Sequence, residues 1–168
     1  MITVRAMQVK DAEQVSELER MIFSQPWSYQ GFVDSLSLPN TVFLVAEENN
    51  KILGYIGMYL SIDEGEITNV AVSPEMRCHG IGGMLLAEAK KEAESRSVGR
   101  IVLEVRCSND SAIRLYERNG FVNHGVRKGF YELPKEDAYI MIYGQQFPLH
   151  KAESCLYNID INRYLWTA

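Results

Sequence analysis

Residues 67–96 read ITNVAVSPEMRCHGIGGMLLAEAKKEAESR, and this segment carries the strongest structural signal in the chain. Its apolar beginning, Ile67 to Val72, predicts a β-strand that the Ser73-Pro74 pair ends. A loop with one arginine and three glycines follows, and the amphipathic segment after it predicts a long helix. A strand, a glycine-rich turn and a helix in this order make an anion cradle. The free N–H groups of the first helical turn point at the ligand, and the helix dipole adds about half a positive charge there. The segment therefore predicts a pyrophosphate site.

Three phosphate-binding motifs compete for this loop. A P-loop requires Lys and then Ser or Thr after its second glycine, but Gly82 is followed by Gly83 and Met84. A dinucleotide fingerprint requires a third glycine where this chain has Leu85. The remaining pattern, Arg-x-x-Gly-x-Gly over residues 77–82, resembles the pyrophosphate loop of the GNAT family of acetyl-CoA-dependent N-acetyltransferases. An Ala-Val-x-Pro run just before it and Met-Leu-Leu just after it strengthen the resemblance.

The composition is that of an ordinary globular chain. Its 168 residues, 46% of them hydrophobic and 23% charged, suffice for one domain with a core. A net charge of −5 argues against general nucleic-acid binding, although an acidic protein can still attract a basic substrate. No apolar run approaches the roughly 20 residues of a membrane helix, and the N-terminus lacks a signal-peptide pattern. Three widely spaced cysteines are typical of free thiols in the cytosol rather than of a metal site. We therefore expect a cytoplasmic protein with no metal and no membrane partner.

The periodicity of the remaining chain predicts a mixed sheet with helices on both faces, an α/β (α+β mixed) class. Strands are predicted at residues 2–7, 41–47, 52–62, 67–72, 100–106, 121–125 or beyond, and 138–143, with turns at 48–51 and 63–65. Helices are predicted at residues 11–23 with Asp11 as N-cap, at 28–37, at 80–96 and at 109–118. The family resemblance implies the GNAT acyl-CoA N-acyltransferase fold, with a mostly antiparallel sheet of about six to seven strands. We expect that domain at residues 1–147, and an apolar extension at 148–168 that docks on it or on a neighbour.

Glu104 stands out because it lies inside an apolar strand. Alternation places it on one face with Val102 and Arg106. A carboxylate there is costly unless it is paired or used, and desolvation favours proton uptake near neutral pH. Glu104 is therefore either a general base or a structural carboxylate that is paired with Arg106 or lies at a solvated strand end.

Two residues of the predicted helix at 109–118 have similar alternatives. Tyr116 lies on its apolar face and is either a core tyrosine or a general acid that protonates a leaving thiolate. Asn109 opens the helix as an N-cap, as a cofactor contact, or as both.

These residues belong to a longer match with the RimI branch of the GNAT family. The matching motifs are Leu-Glu-Val-Arg at 103–106, Ser-Asn at 108–109, Ala-Ile at 112–113, Leu-Tyr-Glu at 115–117 and Gly-Phe at 120–121, together with Pro-Trp-Ser at 26–28 and Glu-Asp-Ala at 136–138. The resemblance covers residues 2–146. Enzymes of that branch acetylate the N-terminal alanine of ribosomal protein eighteen of the small subunit. The resemblance implies direct attack of a protein N-terminal amine on acetyl-CoA, with Glu104 as general base, Tyr116 as general acid and CoA as product.

The resemblance also implies where the cofactor and the acceptor bind. Residues 70–72 would line the acetyl and pantetheine arm, and residues 78–83 would hold the pyrophosphate. The full cofactor set is Val70, Ala71, Val72, Arg77, Cys78, His79, Gly80, Ile81, Gly82, Gly83 and Asn109. Cys78 could be considered as an acyl carrier because thiol pKa values fall near helix N-termini, but its neighbouring residues match a phosphate-binding loop.

The acceptor side is less specific. Trp27 is either a wall of a peptide groove or an anchor between surface and core. Tyr131, Glu132 and Asp137 bracket a predicted loop before the last strand, which either meets an arginine-rich peptide or is simply solvated. We expect a basic ribosomal protein as partner and a monomer or weak homodimer. The alternatives are a GNAT enzyme for a small amine, such as a polyamine or aminoglycoside, and a non-catalytic acyl-CoA sensor.

Overall fold

The computed structural model describes residues 1–144, which form seven strands and four α-helices. The strands are β1 (Thr3–Ala6), β2 (Thr41–Glu48), β3 (Lys51–Leu60), β4 (Glu64–Val72), β5 (Arg100–Arg106), β6 (Val122–Glu132) and β7 (Lys135–Gly144). The helices are α1 (Ala12–Ile22), α2 (Tyr29–Leu36), α3 (Ile81–Ser95) and α4 (Asp110–Arg118). In this part of the chain no helix has the length and apolarity that crossing a membrane requires. The domain boundary at 147 and the docking of the extension 148–168 lie outside the described residues.

The strands form one sheet in the order β1-β2-β3-β4-β5-β7-β6, with β4 and β5 as its parallel pair and every other pairing antiparallel. Alternation along β2 shows the two faces. Leu44 and Ala46 pack into the cluster that contains the buried stripe of α3, whereas Phe43 and Val45 pack into the cluster of α1 and α2. The predicted mixed, mostly antiparallel sheet with helices on both faces is confirmed.

Three local predictions are wrong. Asp11 occupies the predicted N-cap position of α1, but its carboxylate does not cap the helix; it accepts hydrogen bonds from Arg5 at 2.7 and 3.0 Å and from the Gln8 N–H at 2.8 Å, because a short 3₁₀ turn precedes the helix. Residues 63–65 are not simply a turn, since β4 begins at Glu64. The predicted loop at 131–137 is a hairpin: Tyr131 and Glu132 end β6, and Asp137 already belongs to β7.

The most consequential feature of the sheet is where β4 and β5 part. They pair only over residues 64–67 and 100–103, after which β4 stays paired with β3 as far as Val72 and β5 stays paired with β7 as far as Arg106. Thr68 is a bulge, because Gly57 pairs with Asn69 while the next residue of β3 pairs with Ile67. The two strand ends thus form a fork, which we call the β4–β5 fork, with residues 68–72 on one side and 104–106 on the other.

The pairing beside the fork constrains Gly54 of β3. It lies opposite Val72, and a Cβ at this position would lie 2.7 Å from the carbonyl oxygen of Ala71. We expect Gly54→Ala to lower the free energy of unfolding by about 1–3 kcal/mol in urea titrations, because the backbone of β4 would have to move. Gly99→Ala is the control, since a Cβ there meets no described atom within 4 Å. Its effect should stay within about 0.5 kcal/mol. Equal losses from both variants would contradict the account.

Candidate active site

The β4–β5 fork offers main-chain groups to an extended ligand. Beyond Ile67, the ladder contacts of β4 within the described residues run to β3 alone, so the N–H and C=O groups on its other edge face the gap. An edge of this kind pairs with an extended amide-containing chain by strand addition. The predicted cofactor segment, residues 70–72, forms this edge, and it leads directly into the glycine-rich loop.

The backbone of the loop at residues 77–80 has a conformation suited to binding an anion. Cys78 and Gly80 both have positive φ values, 63° and 80°, a backbone arrangement that gathers N–H groups into a concave nest. Gly80 precedes the first turn of α3 and no side chain caps that turn, so its N–H groups are free for a ligand. Gly82 sits where a Cβ would lie 2.8 Å from the Leu115 side chain, so this glycine lets α3 approach α4. These features fit a pyrophosphate.

Glu104 projects from β5 onto the α1–α2 face, because Leu103 and Val105 pack into the α3 cluster on the other side. Its side chain is 13% exposed and its Oε1 accepts a hydrogen bond of 3.1 Å from Arg127 Nη1. Arg127 is therefore its partner, and the hypothesis of a Glu104–Arg106 pair is wrong.

Arg106 interacts with the β6–β7 hairpin instead of with Glu104. It donates to Glu136 at 3.1 Å and to the carbonyl of Leu133 at 2.9 Å, and its guanidinium stacks on the Tyr131 ring at 4.0 Å. Arg106 therefore braces the β6–β7 hairpin beside the fork.

A second carboxylate, which the sequence analysis missed, lies beside Glu104. Glu66 of β4 is in register with Val102, and the side chains of Val102 and Glu104 share a face, so Glu66 and Glu104 are diagonal neighbours on the floor of the site. Burial, then the charges of Glu104 and Glu64, raise the pKa of Glu66 to about 7, against the opposing effect of Arg127. Alternation from Ile67 would have placed Glu66 on this face.

Tyr116 approaches from the opposite side of the sheet. Only 7% of the residue is exposed, and its ring packs edge-on against Phe121 at 5.7 Å. Burial, with a smaller contribution from Tyr131, raises the pKa of the Tyr116 phenol well above its usual value. The phenol therefore keeps its proton at neutral pH. Asn109 is confirmed as the N-cap of α4, where its Oδ1 accepts from the Ala112 N–H at 3.2 Å.

The predicted acceptor residues separate into two groups. The Tyr131 hydroxyl donates to the Glu104 carbonyl at 3.3 Å, and burial raises the pKa of Tyr131 to about 12, so this side chain lies at the site. Asp137 instead accepts from Lys128 at 2.8 Å and from the Gly129 N–H at 2.8 Å, and Glu132 is exposed on the hairpin. Of the three, the structure brings Tyr131 to Glu104.

Trp27 is half-buried on the α1–α2 face. Its ring packs against Phe32, Phe43 and Tyr59 at centroid distances of 5.4, 6.1 and 6.4 Å. Its backbone N–H donates to the carboxylate of Glu19 at 3.3 Å. Glu19 is fully buried and was also missed, although it falls on the apolar stripe of α1, four residues after Val15.

Known proteins that resemble this chain in sequence and in structure are N-acetyltransferases. Residues 12–121 match the family described as "Acetyltransferase (GNAT) family". A Bacillus subtilis protein provisionally named as a ribosomal protein bS18-alanine N-acetyltransferase is 36% identical over 139 residues, which cover 82% of this chain and 92% of the relative. The ribosomal protein bS18-alanine N-acetyltransferase of Escherichia coli strain K12 is 32% identical over 143 residues, covering 84% and 96%. The crystal structure of the ribosomal-protein-S18-alanine N-acetyltransferase from Escherichia coli superposes with a TM-score of 0.78 at 29% identity, covering 90% of this chain and 98% of that one.

The raised pKa of Glu66 predicts a pH-dependent stability. The ordinary value is 4.5 and the folded value is about 7, so the stabilisation from this group is complete below pH 4.5 and is lost as the pH rises through 7. From pH 5 to pH 8 the wild type should lose about 1–2 kcal/mol more than Glu66→Gln, after allowance for partial solvent screening. Urea unfolding of both proteins at the two pH values measures this difference. If the difference in unfolding free energy between wild type and Glu66→Gln is the same at pH 5 and at pH 8, the pKa of Glu66 is not raised in the folded protein.

Proposed function

Because this chain belongs to the GNAT family and is an acetyl-CoA-dependent N-acetyltransferase, we propose that its acceptor is a protein N-terminal α-amine, that of the N-terminal alanine of ribosomal protein bS18. The observation that carries the proposal is the grouping of Glu104, Glu66 and Tyr131 at the base of the β4–β5 fork, with Tyr116 buried in the cluster on the other face of the sheet. The names of the two bacterial relatives support the choice of acceptor.

The cofactor residues proposed from the sequence are compatible with this fork. Residues 70–72 would accompany the pantetheine arm with main-chain hydrogen bonds, and the loop from Arg77 to Gly83 would hold the pyrophosphate through its N–H groups. Acetyl-CoA supplies the thioester that carries the acetyl group. A backbone N–H of β4 is available to stabilise negative charge on the acetyl oxygen. Asn109, whose side chain already caps α4, would contact the cofactor at the opposite wall.

Glu104 would act as the general base. An α-amine has a pKa of about 7.7–8.0, so only a modest driving force is needed to make it neutral and nucleophilic. The carboxylate would take the proton directly or through one water as the nitrogen–carbon bond forms. Arg127 holds the carboxylate in place by a single hydrogen bond, which leaves its second oxygen for the amine.

Tyr116 would serve the leaving group as the carbon–sulfur bond breaks. A thiolate needs a proton or a strong hydrogen bond, and the phenol is protonated at neutral pH. Since burial raises the pKa of Tyr116 above that of a free phenol, complete proton transfer to the leaving thiolate, whose conjugate thiol has a pKa of about 8.5, is uphill. Tyr116 therefore acts mainly through a hydrogen bond that strengthens as charge develops on sulfur, and solvent supplies the final proton.

The acceptor would approach from the α1–α2 face. Glu66 makes no hydrogen bond or ion pair with the residues described at 1–144, and its pKa of about 7 lets an arriving ammonium favour the charged carboxylate. Trp27 and Tyr131 would flank the peptide, and Glu132 and Asp137 on the hairpin would meet basic residues further along it.

Acceptor profiling tests the proposal. A peptide that begins Ala-Arg should be acetylated with a kcat/KM at least about 100-fold above that of a polyamine or an aminoglycoside, because only the peptide fills the groove beyond its α-amine. The same peptide with a blocked N-terminus is the control and should not react. Turnover of small amines alone would replace the proposal with a small-amine enzyme, and binding of acetyl-CoA without any turnover would indicate a sensor.

The proposed acid and base can be separated from cofactor binding. Glu104→Gln should leave the Kd for acetyl-CoA near the wild-type value and slow single-turnover transfer by roughly 10²–10⁴ at neutral pH. We expect a similar loss for Tyr116→Phe, with the melting temperature little changed. Glu117→Gln, an exposed carboxylate next to Tyr116 on α4, is the matched control and should react at the wild-type rate. A wild-type rate in Glu104→Gln would remove this residue from the mechanism.

A further inference from the structure

A fully buried carboxylate lies close to the candidate active site without a role in the steps above. Glu19 of α1 has no exposed surface, and it accepts hydrogen bonds from three different parts of the chain. The Tyr55 hydroxyl on β3 donates to one carboxylate oxygen, Asn69 Nδ2 on β4 donates to the other at 3.1 Å, and the Trp27 N–H donates at 3.3 Å. One side chain thus joins the helix, two strands and the loop before α2.

Burying this carboxylate costs free energy, so its contribution to stability does not by itself explain its presence. Burial disfavours the charged form and raises the pKa of Glu19 to about 7, although the hydrogen bonds from Tyr55 and Trp27 lower it. A well-packed apolar side chain often stabilises a core as well as a buried charged network does, so retention of the carboxylate calls for a reason connected with position.

Two of the three donors, Asn69 and Trp27, lie toward the acceptor side. Asn69 directly follows the bulge residue Thr68 and is the next residue after Glu66 on the same face of β4. Trp27 is part of the loop at residues 23–28 and packs against the α1–α2 cluster on that face, where under the proposed function the loop would form one bank of a peptide groove. The far end of the loop is tied by Ser24, whose hydroxyl donates to the Leu133 carbonyl at 2.7 Å.

The same carbonyl also receives a hydrogen bond from Arg106. The loop at 23–28 is consequently held at two points, by Glu19 on the inner side and by the β6–β7 hairpin on the outer side. The floor between these points carries Glu66 and Glu104. A change at the inner point would act on the loop at 23–28 and on Asn69, whereas the pyrophosphate loop at 77–80 begins only after Val72, where β4 ends.

We propose that Glu19 is a positioning residue for the acceptor: by holding the Trp27 backbone and Asn69 together, it sets the groove at the width that an N-terminal peptide requires. This inference rests on the proposed function, since it assigns the groove to a peptide. Glu19 does not touch the reacting atoms in this account; it acts through the loop and through the strand segment that follows the bulge.

Steady-state kinetics with the peptide acceptor distinguish positioning from mere stabilisation. Glu19→Ala should raise the KM for peptide by about tenfold or more, while the KM for acetyl-CoA stays within about twofold. Glu19→Gln keeps an oxygen for Asn69 and the Trp27 N–H and offers an N–H to the Tyr55 hydroxyl, so it should restore most of the peptide KM, to within about threefold of wild type. If Glu19→Ala does not fold, Tyr55→Phe provides the test, because it removes one donor only. Its KM for peptide should rise about threefold, and the double variant with Glu19→Gln should show less than the product of the two single effects.

Asp11→Asn is the matched control. Asp11 is a comparably buried carboxylate on a hydrogen-bond network at β1, away from the fork, so this variant should lose stability with no change in the KM for peptide. The inference is overturned if folded Glu19→Ala and Tyr55→Phe keep the wild-type KM for peptide, or if Asp11→Asn raises it equally, and in both cases the proposed function still stands. If the wild type acetylates no N-terminal peptide, the proposed function fails, and the assignment of Glu19 fails with it.

Discussion

The separation of β4 from β5 after four residue pairs is the constraint on which the site depends. Two neighbouring strands normally continue to pair, because unpaired main-chain groups are costly when they leave water. Here the bulge at Thr68 turns β4 away while β3 and β7 hold the two strands from their outer edges. The fork leaves one strand edge open for an extended ligand, and its continuation, the glycine-rich loop, supplies N–H groups for an anion. The proposed donor site therefore depends on the backbone more than on any side chain.

The acceptor side depends on three carboxylates in different surroundings. Glu104 is held by a guanidinium, Glu66 has a raised pKa because burial and like charges act on it, and Glu19 is enclosed by three donors. They follow one face of the sheet from β5 to α1. One would accept a proton, one would attract a cation, and one would fix the bank of the groove. In this account the hydrogen-bond donor to the leaving sulfur, Tyr116, comes from the other face of the sheet.

The parts of the structure that depend on local sequence were predictable. The glycine-rich loop, the strand at 100–106, its alternation around Glu104 and the Asn109 cap follow from patterns within about ten residues of one another. The partner of Glu104 was not predictable, because Arg127 reaches it through the pairing of β6 with β7 and of β7 with β5. Glu19 was missed for the same reason, since its donors come from positions distant in the chain. The turn assigned to 63–65 failed because pairing on both sides draws Glu64 and Gly65 into the sheet, which overrides their local preference.

The account is tested most directly by mass spectrometry of ribosomal proteins from cells that lack this protein. It predicts that ribosomal protein bS18 carries a free N-terminal alanine in those cells, that the wild-type gene restores the acetyl group, and that a Glu104→Gln copy restores little of it. A bS18 N-terminus that remains fully acetylated in cells lacking the protein would contradict the proposed acceptor.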